Sequence, residues 1–287
     1  MRWLSWLRER AIATPTQIPG DLWQATLLQL PFLGYLSHQD LSRLKSLTEQ
    51  LLAGKSFAGA KGFQLTDEMA VPIATQAALL VLNLRLDLYD DLSAVIVTPE
   101  AFPITQQVID DSGVVHEWEE MLAGEAIEMG GAVRLAWPDI VPAGPNDQPL
   151  VANVVIHEFA HKIDMQRGGA NGYPPFLAGF HARSDFADWS TVFSVAYEDF
   201  CHRVDRFEAR QPGPTNAADQ AHMAQNDTPR RALPMDPYAA TDPAEFFAVA
   251  SESFFVTPAP LAGAYPEVYR LLSRYYRQNP LSGGSTA

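Results

Sequence analysis

Two histidines, His157 and His161, lie four residues apart in the apolar run VANVVIHEFAHKID at residues 151–164. Four residues advance an α-helix by about 400°, so a helix here stacks both imidazoles on one face, near enough to share one ion. Val155 and Phe159 then lie on the opposite side and can pack into a core. This run therefore predicts a helix that is buried on one side and presents two histidines to a cleft.

The residue after the first histidine gives this pattern a chemical meaning. Glu158 completes the order HExxH, in which the glutamate is offset from the metal-binding face and acts as a general base toward a metal-bound water instead of binding the metal. The motif predicts a zinc site with three protein ligands and one position open for water. The alternative is a pair of ordinary histidines on a core helix.

A third ligand has to come from a later part of the chain, because MQRGG follows where the metzincins need their third histidine. Residues 242–255, DPAEFFAVASESFF, offer Glu245 and Glu252, seven residues apart and so on nearly the same helix face. Asp242 and Pro243 are good helix-start residues, which places Glu245 in the first turn. At this point both glutamates remain open as the third ligand.

Two acids are candidates for supporting the histidines. Histidines that bind a metal usually donate their other ring nitrogen to a carboxylate or a carbonyl group. Asp164 and Glu252 could accept such a hydrogen bond. The alternative is that both are solvated surface acids.

A short apolar run at residues 132–137 predicts a strand that is entered through Gly130 and Gly131. Peptidases commonly hold a substrate as an added strand along an exposed sheet edge, and glycines let backbones approach closely. We therefore expect this segment, which includes Ala132, Val133 and Arg134, to contact substrate. An internal strand is the alternative.

Composition limits the function classes. Twenty lysines and arginines against 34 aspartates and glutamates give a formal charge of −14, which repels phosphate backbones, so we expect no direct nucleic-acid binding. The single cysteine, Cys201, allows no intramolecular disulfide, and the cytoplasm is the simplest location. Residues 69–86 are the most apolar segment, but Pro72 and three polar residues interrupt them, which predicts a buried helix and no membrane span.

The order of predicted elements indicates an α+β fold with a mostly helical body and a small mixed β-sheet beside the HExxH helix. Leucines at helical spacing predict a core helix at residues 37–52, a β-branched run predicts a strand at 94–97, and a final helix is expected at 266–276. Loops are expected at 143–149 and 209–237, and the second of these is a candidate lid over the cleft. We expect one domain over residues 1–287, with a helical part at 1–90, a catalytic core at 91–280 and a flexible tail at 281–287.

Three segments carry a resemblance to a known family. HEFAHKID at 157–164, YAATDPAEFFAVASESFF at 238–255 and GEAIEMGGAVRLAWPDI at 124–140 resemble the Mlc titration factor A (MtfA) peptidases, which are similar in their catalytic domain to the anthrax lethal factor protease. The likeness covers most of the chain.

The resemblance implies specific roles. In that family a tyrosine precedes the metal-binding glutamate by seven residues, so Glu245 is implied as the third ligand and Tyr238 as the residue that supports the oxyanion. It also implies aminopeptidase-like hydrolysis of peptides with one zinc ion, and binding to the Mlc repressor, through which glucose phosphotransferase uptake is regulated. The competing hypothesis is a non-catalytic protein that sequesters a repressor, although the intact Glu158 favours catalysis.

Overall fold

The structure is a computed structural model that describes residues 17–109, 115–122, 124–126, 131–140, 153–210 and 233–283. Several predictions concern residues outside this set. They are the place of Gly130 at the entry to the predicted strand, the loop at 143–149, residues 211–232 of the loop expected at 209–237, and the last four residues of the tail.

Between residues 17 and 90, all of which are described, there are three α-helices: α1 (Gly20–Gln29), α2 (His38–Gly54) and α3 (Asp67–Leu80). Ser37 caps α2 because its Oγ accepts the backbone N–H of Asp40 at 3.1 Å. Every residue of α3 from 70 to 80 is buried, which confirms the expected buried helix, although it ends six residues earlier than residue 86. Within the described part of the chain, no helix combines the length and apolarity that crossing a membrane requires.

Among the described residues, six strands form two sheets. They are β1 (Ser56–Gly59), β2 (Ala94–Thr98), β3 (Phe102–Ile109), β4 (Val115–Leu122), β5 (Gly124–Ala126) and β6 (Val133–Ala136). The larger sheet has the order β1-β2-β6-β5, with parallel pairing between its first three strands and antiparallel pairing between β5 and β6. β3 and β4 form a separate antiparallel pair. The expected small mixed sheet is therefore present.

The expectation that the strand at 132–137 offers an open edge to substrate is wrong. β6 lies between β2 and β5, and Val133 and Arg134 have Cα partners on both neighbouring strands. A strand with both edges paired cannot accept a further strand through its backbone. The internal-strand alternative holds, and among the described strands the outer one on this side of the sheet is β5.

In the described part of the remaining chain there are six helices: α4 (Trp137–Ile140), α5 (Val154–Asp164), α6 (Arg183–Glu208), α7 (Pro243–Val256), α8 (Pro258–Ala264) and α9 (Pro266–Tyr276). Short 3-10 helices cover Pro31–Tyr35, Leu86–Tyr89, Met165–Arg167, Pro237–Ala240 and Pro280–Gly283. The HExxH helix α5 contacts α7 on one side and α3 and β5 on others, so it lies in the centre of the core. The α+β class, mostly helical with a small sheet beside α5, is confirmed.

Candidate metal centre

Helix α5 presents its two histidines because its other face is apolar. Asn153 begins the helix, and its Oδ1 accepts the backbone N–H of Ile156 at 2.9 Å. Val155 and Phe159 are 1% and 0% exposed, which fixes the rotation of the helix. On the opposite face, the Nε2 atoms of His157 and His161 lie 3.1 Å apart. As expected, the apolar residues and the two histidines therefore lie on opposite faces of α5.

Helix α7 brings a carboxylate to this pair. Asp242 begins the helix as expected, and its Oδ1 accepts the backbone N–H groups of Ala244 at 2.8 Å and Glu245 at 3.0 Å. The first turn is thereby fixed. Glu245 then places Oε2 at 3.0 Å from Nε2 of His157 and 3.2 Å from Nε2 of His161.

The three atoms fit one small cation. Their mutual distances of 3.0, 3.1 and 3.2 Å resemble the spacing of about 3.4 Å that ligands take around a tetrahedral ion with bonds of about 2.1 Å. Two imidazole nitrogens and one carboxylate oxygen are a donor set that zinc accepts. Among the described residues, His157, His161 and Glu245 are the group of potential metal ligands that lies together.

Negative charge accumulates around the imidazoles. Burial opposes ionisation of Glu245, but hydrogen bonds with His157 and His161 outweigh it and lower the pKa of Glu245 to about 2. For His157, burial lowers the pKa, whereas hydrogen bonds with Glu245 and Glu252 raise it more, so that its pKa is well above its ordinary value. Both shifts mean that the cluster stabilises a positive charge at its centre.

Glu158 lies beside the histidines in a buried environment. Glu158 is 5% exposed. Burial raises the pKa of Glu158 to about 7, and the nearby imidazoles only partly oppose this shift. A carboxyl group of this kind can both take up and release a proton near neutral pH.

Glu252 supports His157 from behind, as expected for one of the two supporting acids. Its Oε1 lies 2.6 Å from Nδ1 of His157, and its Oε2 accepts the backbone N–H of Asn153 at 2.6 Å. The amide of Asn153 in turn donates to Oε1 of Gln76 on α3 at 2.6 Å. The Glu252 carboxylate therefore fixes the orientation of His157 and joins α7 to α5, and the side-chain amide of Asn153 joins α5 to α3.

Tyr238 lies at the edge of the site. It belongs to the 3-10 helix Pro237–Ala240, whose start is fixed by Asp236, since Oδ1 of Asp236 accepts the N–H of Tyr238 at 2.9 Å. The ring centroids of Tyr238 and His157 are 6.0 Å apart, and Tyr238 is 43% exposed. The ring is thus close to the histidines and open to an incoming molecule.

The model of the family described as glucose-regulated metallo-peptidase M90 matches residues 3–277. The chain belongs to this family. It is 36% identical over 256 residues to the protein named Mlc titration factor A of Yersinia pestis (strain Pestoides F), a match that covers 89% of this chain and 84% of the relative.

Two further relatives extend the M90 match. Mlc titration factor A of Yersinia pseudotuberculosis serotype O:3 shows the same identity and coverage. A Synechocystis protein described as uncharacterized is 33% identical over 280 residues, covering 97% of this chain and 90% of the relative. The predicted membership of the MtfA peptidase family is confirmed. A metallopeptidase family implies a metal ion, and His157, His161 and Glu245 are the candidate site for it.

In this M90 peptidase, the expected support of a histidine by Asp164 needs a correction. Oδ2 of Asp164 accepts the backbone N–H groups of Asn171 at 2.7 Å and Gly172 at 2.6 Å. Oδ1 of Asp164 and Nδ1 of His161 are both buried without a hydrogen-bond partner in the described structure. Asp164 therefore holds the loop after α5 through Oδ2, and no hydrogen bond joins its Oδ1 to Nδ1 of His161.

Sequence reasoning missed Asn153 and Gln76. Asn153 stands directly before the predicted helix, where its preference for the first position was a usable signal. Gln76 is a single polar residue in an apolar helix, and its sequence context does not identify its partner. Tyr197 was also missed, although its hydroxyl donates to the carbonyl of Ala240 at 3.3 Å and so contacts the element that carries Tyr238.

Proposed function

We propose that this chain is a zinc peptidase of the gluzincin type, with His157, His161 and Glu245 as the metal ligands. The observation that carries this proposal is the position of Oε2 of Glu245, which lies within 3.2 Å of Nε2 of both histidines. His161 and Glu245 are 84 residues apart in the chain. Helix α7 therefore supplies the third ligand that a histidine pair on one helix lacks.

The side chains around the site have distinct tasks. A zinc ion held by two imidazoles and a carboxylate supplies a Lewis acid and lowers the pKa of water to about 7. Glu158 takes a proton from the attacking water and returns it to the leaving amine nitrogen. Tyr238 donates a hydrogen bond to the carbonyl oxygen as negative charge develops there. Glu252 accepts a hydrogen bond from Nδ1 of His157, which keeps the lone pair of Nε2 directed at the centre of the cluster.

The outer strand β5 is the better candidate for holding a peptide. Among the described strands, β5 pairs with β6 alone, and it contacts the HExxH helix α5. A peptide added along β5 would gain main-chain hydrogen bonds beside the HExxH helix. We therefore transfer the proposed substrate strand from β6 to β5, Gly124–Ala126.

Substrate and partner follow from the family by analogy. We propose an aminopeptidase-like activity on short peptides, in a single domain that acts in the cytoplasm. Two relatives carry the name Mlc titration factor A, and that name supports a second proposal in which the chain binds an Mlc-type repressor and thereby affects glucose phosphotransferase uptake. In the alternative, repressor binding is the whole function and the site does not turn over substrate.

Zinc content and peptide hydrolysis of Glu158→Gln test the proposal. We expect the variant to retain one zinc ion per chain and to lose hydrolysis by about 10²-fold or more, because the ligands stay and the general base is removed. His157→Ala should lose both zinc and hydrolysis. Glu198→Gln on the exposed side of α6 is the matched control and should retain both. Hydrolysis at the full rate by Glu158→Gln would refute the assignment, and repressor capture by this variant would show that binding is separable.

A further inference from the structure

The loop that follows α5 contacts both helices that carry the proposed metal ligands. α5 ends at Asp164, three residues after His161, and α7 starts at Pro243, two residues before Glu245. Residues 171 and 172 lie between these two helix ends. Their contacts show how the distance between the ends is set.

Asp164 holds the loop from the side of α5. This residue is 2% exposed, and its Oδ2 accepts two successive backbone N–H groups, from Asn171 at 2.7 Å and Gly172 at 2.6 Å. A buried carboxylate with two short hydrogen bonds to the backbone is a strong attachment. The loop is therefore tied to the end of the helix that carries His157 and His161.

Gly172 meets α7 from the other side. A Cβ atom at this position would lie 2.5 Å from the carbonyl oxygen of Pro243, a separation that side chains do not tolerate, and φ is +79°. The indole Nε1–H of Trp189 donates to the carbonyl of Gly172 at 2.9 Å. Gly172 is thus held by Asp164, by Trp189 on α6 and by the first residue of α7.

We propose that Asp164 and Gly172 are positioning residues that set the distance between the histidine pair and Glu245, and hence the affinity of the site for zinc. The inference rests on the proposed metal ligands. Glu245 lies only two residues after Pro243 in the first turn of α7. A displacement of Pro243 therefore moves Oε2 of Glu245 away from one or both imidazoles. Only glycine allows the close approach that sets this position.

Gly172→Ala tests the proposal against a matched control, Gly179→Ala. Both glycines have positive φ, +79° and +86°, but an added Cβ at Gly179 would meet nothing within 4 Å. Both alanine variants therefore carry the strain of a left-handed residue, and only one displaces Pro243. Zinc affinity is measured by chelator competition on the full chain, and thermal unfolding of the zinc-free proteins reports stability separately.

We expect Gly172→Ala to bind zinc about 10-fold to 100-fold more weakly than wild type, the range found when groups that orient metal ligands are removed. Gly179→Ala should bind zinc like wild type. Equal zinc affinity of the two variants, with a lower Tm for Gly172→Ala, would show a merely structural role and overturn the proposal.

A second variant decides the matter if Gly172→Ala does not fold. Trp189→Phe keeps an aromatic ring and the net charge but loses the hydrogen bond to Gly172, and we expect a loss of zinc affinity between about twofold and tenfold. Unchanged affinity in Trp189→Phe would then overturn the proposal. Failure of the proposed function looks different, because in that case the wild-type protein itself binds no zinc, or binds it as well after His157→Ala.

Discussion

Glu252→Gln removes one hydrogen bond from the support of His157 and leaves the shape of the side chain unchanged. The carboxylate accepts two hydrogen bonds, from Nδ1–H of His157 and from the backbone N–H of Asn153, both at 2.6 Å. Glutamine has one acceptor oxygen and one NH2 donor, so one of these two N–H groups must face another donor. Glu252 is 6% exposed, and water cannot readily replace the lost partner.

The size of the effect follows from these contacts. A hydrogen bond to a charged group contributes about 1.5–3 kcal/mol, and about 1.4 kcal/mol corresponds to a factor of ten in a binding constant. We therefore expect Glu252→Gln to weaken zinc binding by about 10-fold to 100-fold, which agrees with the general cost of removing such a partner.

Competition with a chelator of known zinc affinity measures this difference. Glu267→Gln on α9 is the control, because Glu267 is 62% exposed and pairs with Arg270, away from the site. Its zinc affinity should equal that of wild type. Indistinguishable zinc affinities for Glu252→Gln and Glu267→Gln would refute the role of Glu252.

Three further predictions concern the site and the fold. Tyr238→Phe should keep its zinc and change KM little. Its kcat should fall by about 10²-fold to 10³-fold, because a hydrogen-bond donor to the developing oxyanion is lost. An unchanged kcat in steady-state assays would remove Tyr238 from the mechanism. Chelation should lower the Tm of wild type, as zinc at 1,000 times its Kd stabilises by about 4.1 kcal/mol, and a similar shift in His157→Ala would speak against the site. His181 accepts the N–H of Leu177 and donates to the carbonyl of Tyr275, and burial lowers its pKa, so the folded protein favours the neutral ring. The unfolded chain then binds the proton first, and stability should fall as pH drops below about 6.5. His181→Gln should weaken this fall in Tm. An equal fall in Tm for both proteins would contradict the role of His181 in the pH dependence.

The local parts of the site could be predicted from the sequence. The faces of α5 and the start of α7 at Asp242 depend on residues within a few turns of one helix, and both are present as expected. The final helix also has the expected bounds, Pro266–Tyr276. Such features depend on helical periodicity and on the first residues of a helix, which a sequence displays directly.

Features that depend on how elements pack could not be predicted in this way. Glu245 and Glu252 lie on nearly the same face of α7, and only the packing of α7 against α5 places one at both Nε2 atoms and the other at Nδ1 of His157. The resemblance to a family was needed to choose between them. The internal position of β6 depends likewise on β5, whose pairing with it no local pattern reveals.

Helix α6 was missed although a signal was present. Its buried residues follow one another at spacings of three or four: Trp189, Phe193, Ala196, Phe200 and Val204. This spacing is typical of a helix with one apolar face. The role of Asp164 is a different case, because its hydrogen bonds with two backbone N–H groups depend on where the following loop lies.

Anomalous diffraction from a crystal of the zinc-loaded protein, measured on both sides of the zinc absorption edge, tests the central claim most directly. We predict one peak, at about 2.0–2.2 Å from Nε2 of His157, Nε2 of His161 and a carboxylate oxygen of Glu245. A peak at other residues, or a zinc ion bound to the histidines while Glu245 points elsewhere and no other acid replaces it, would contradict the proposed metal site.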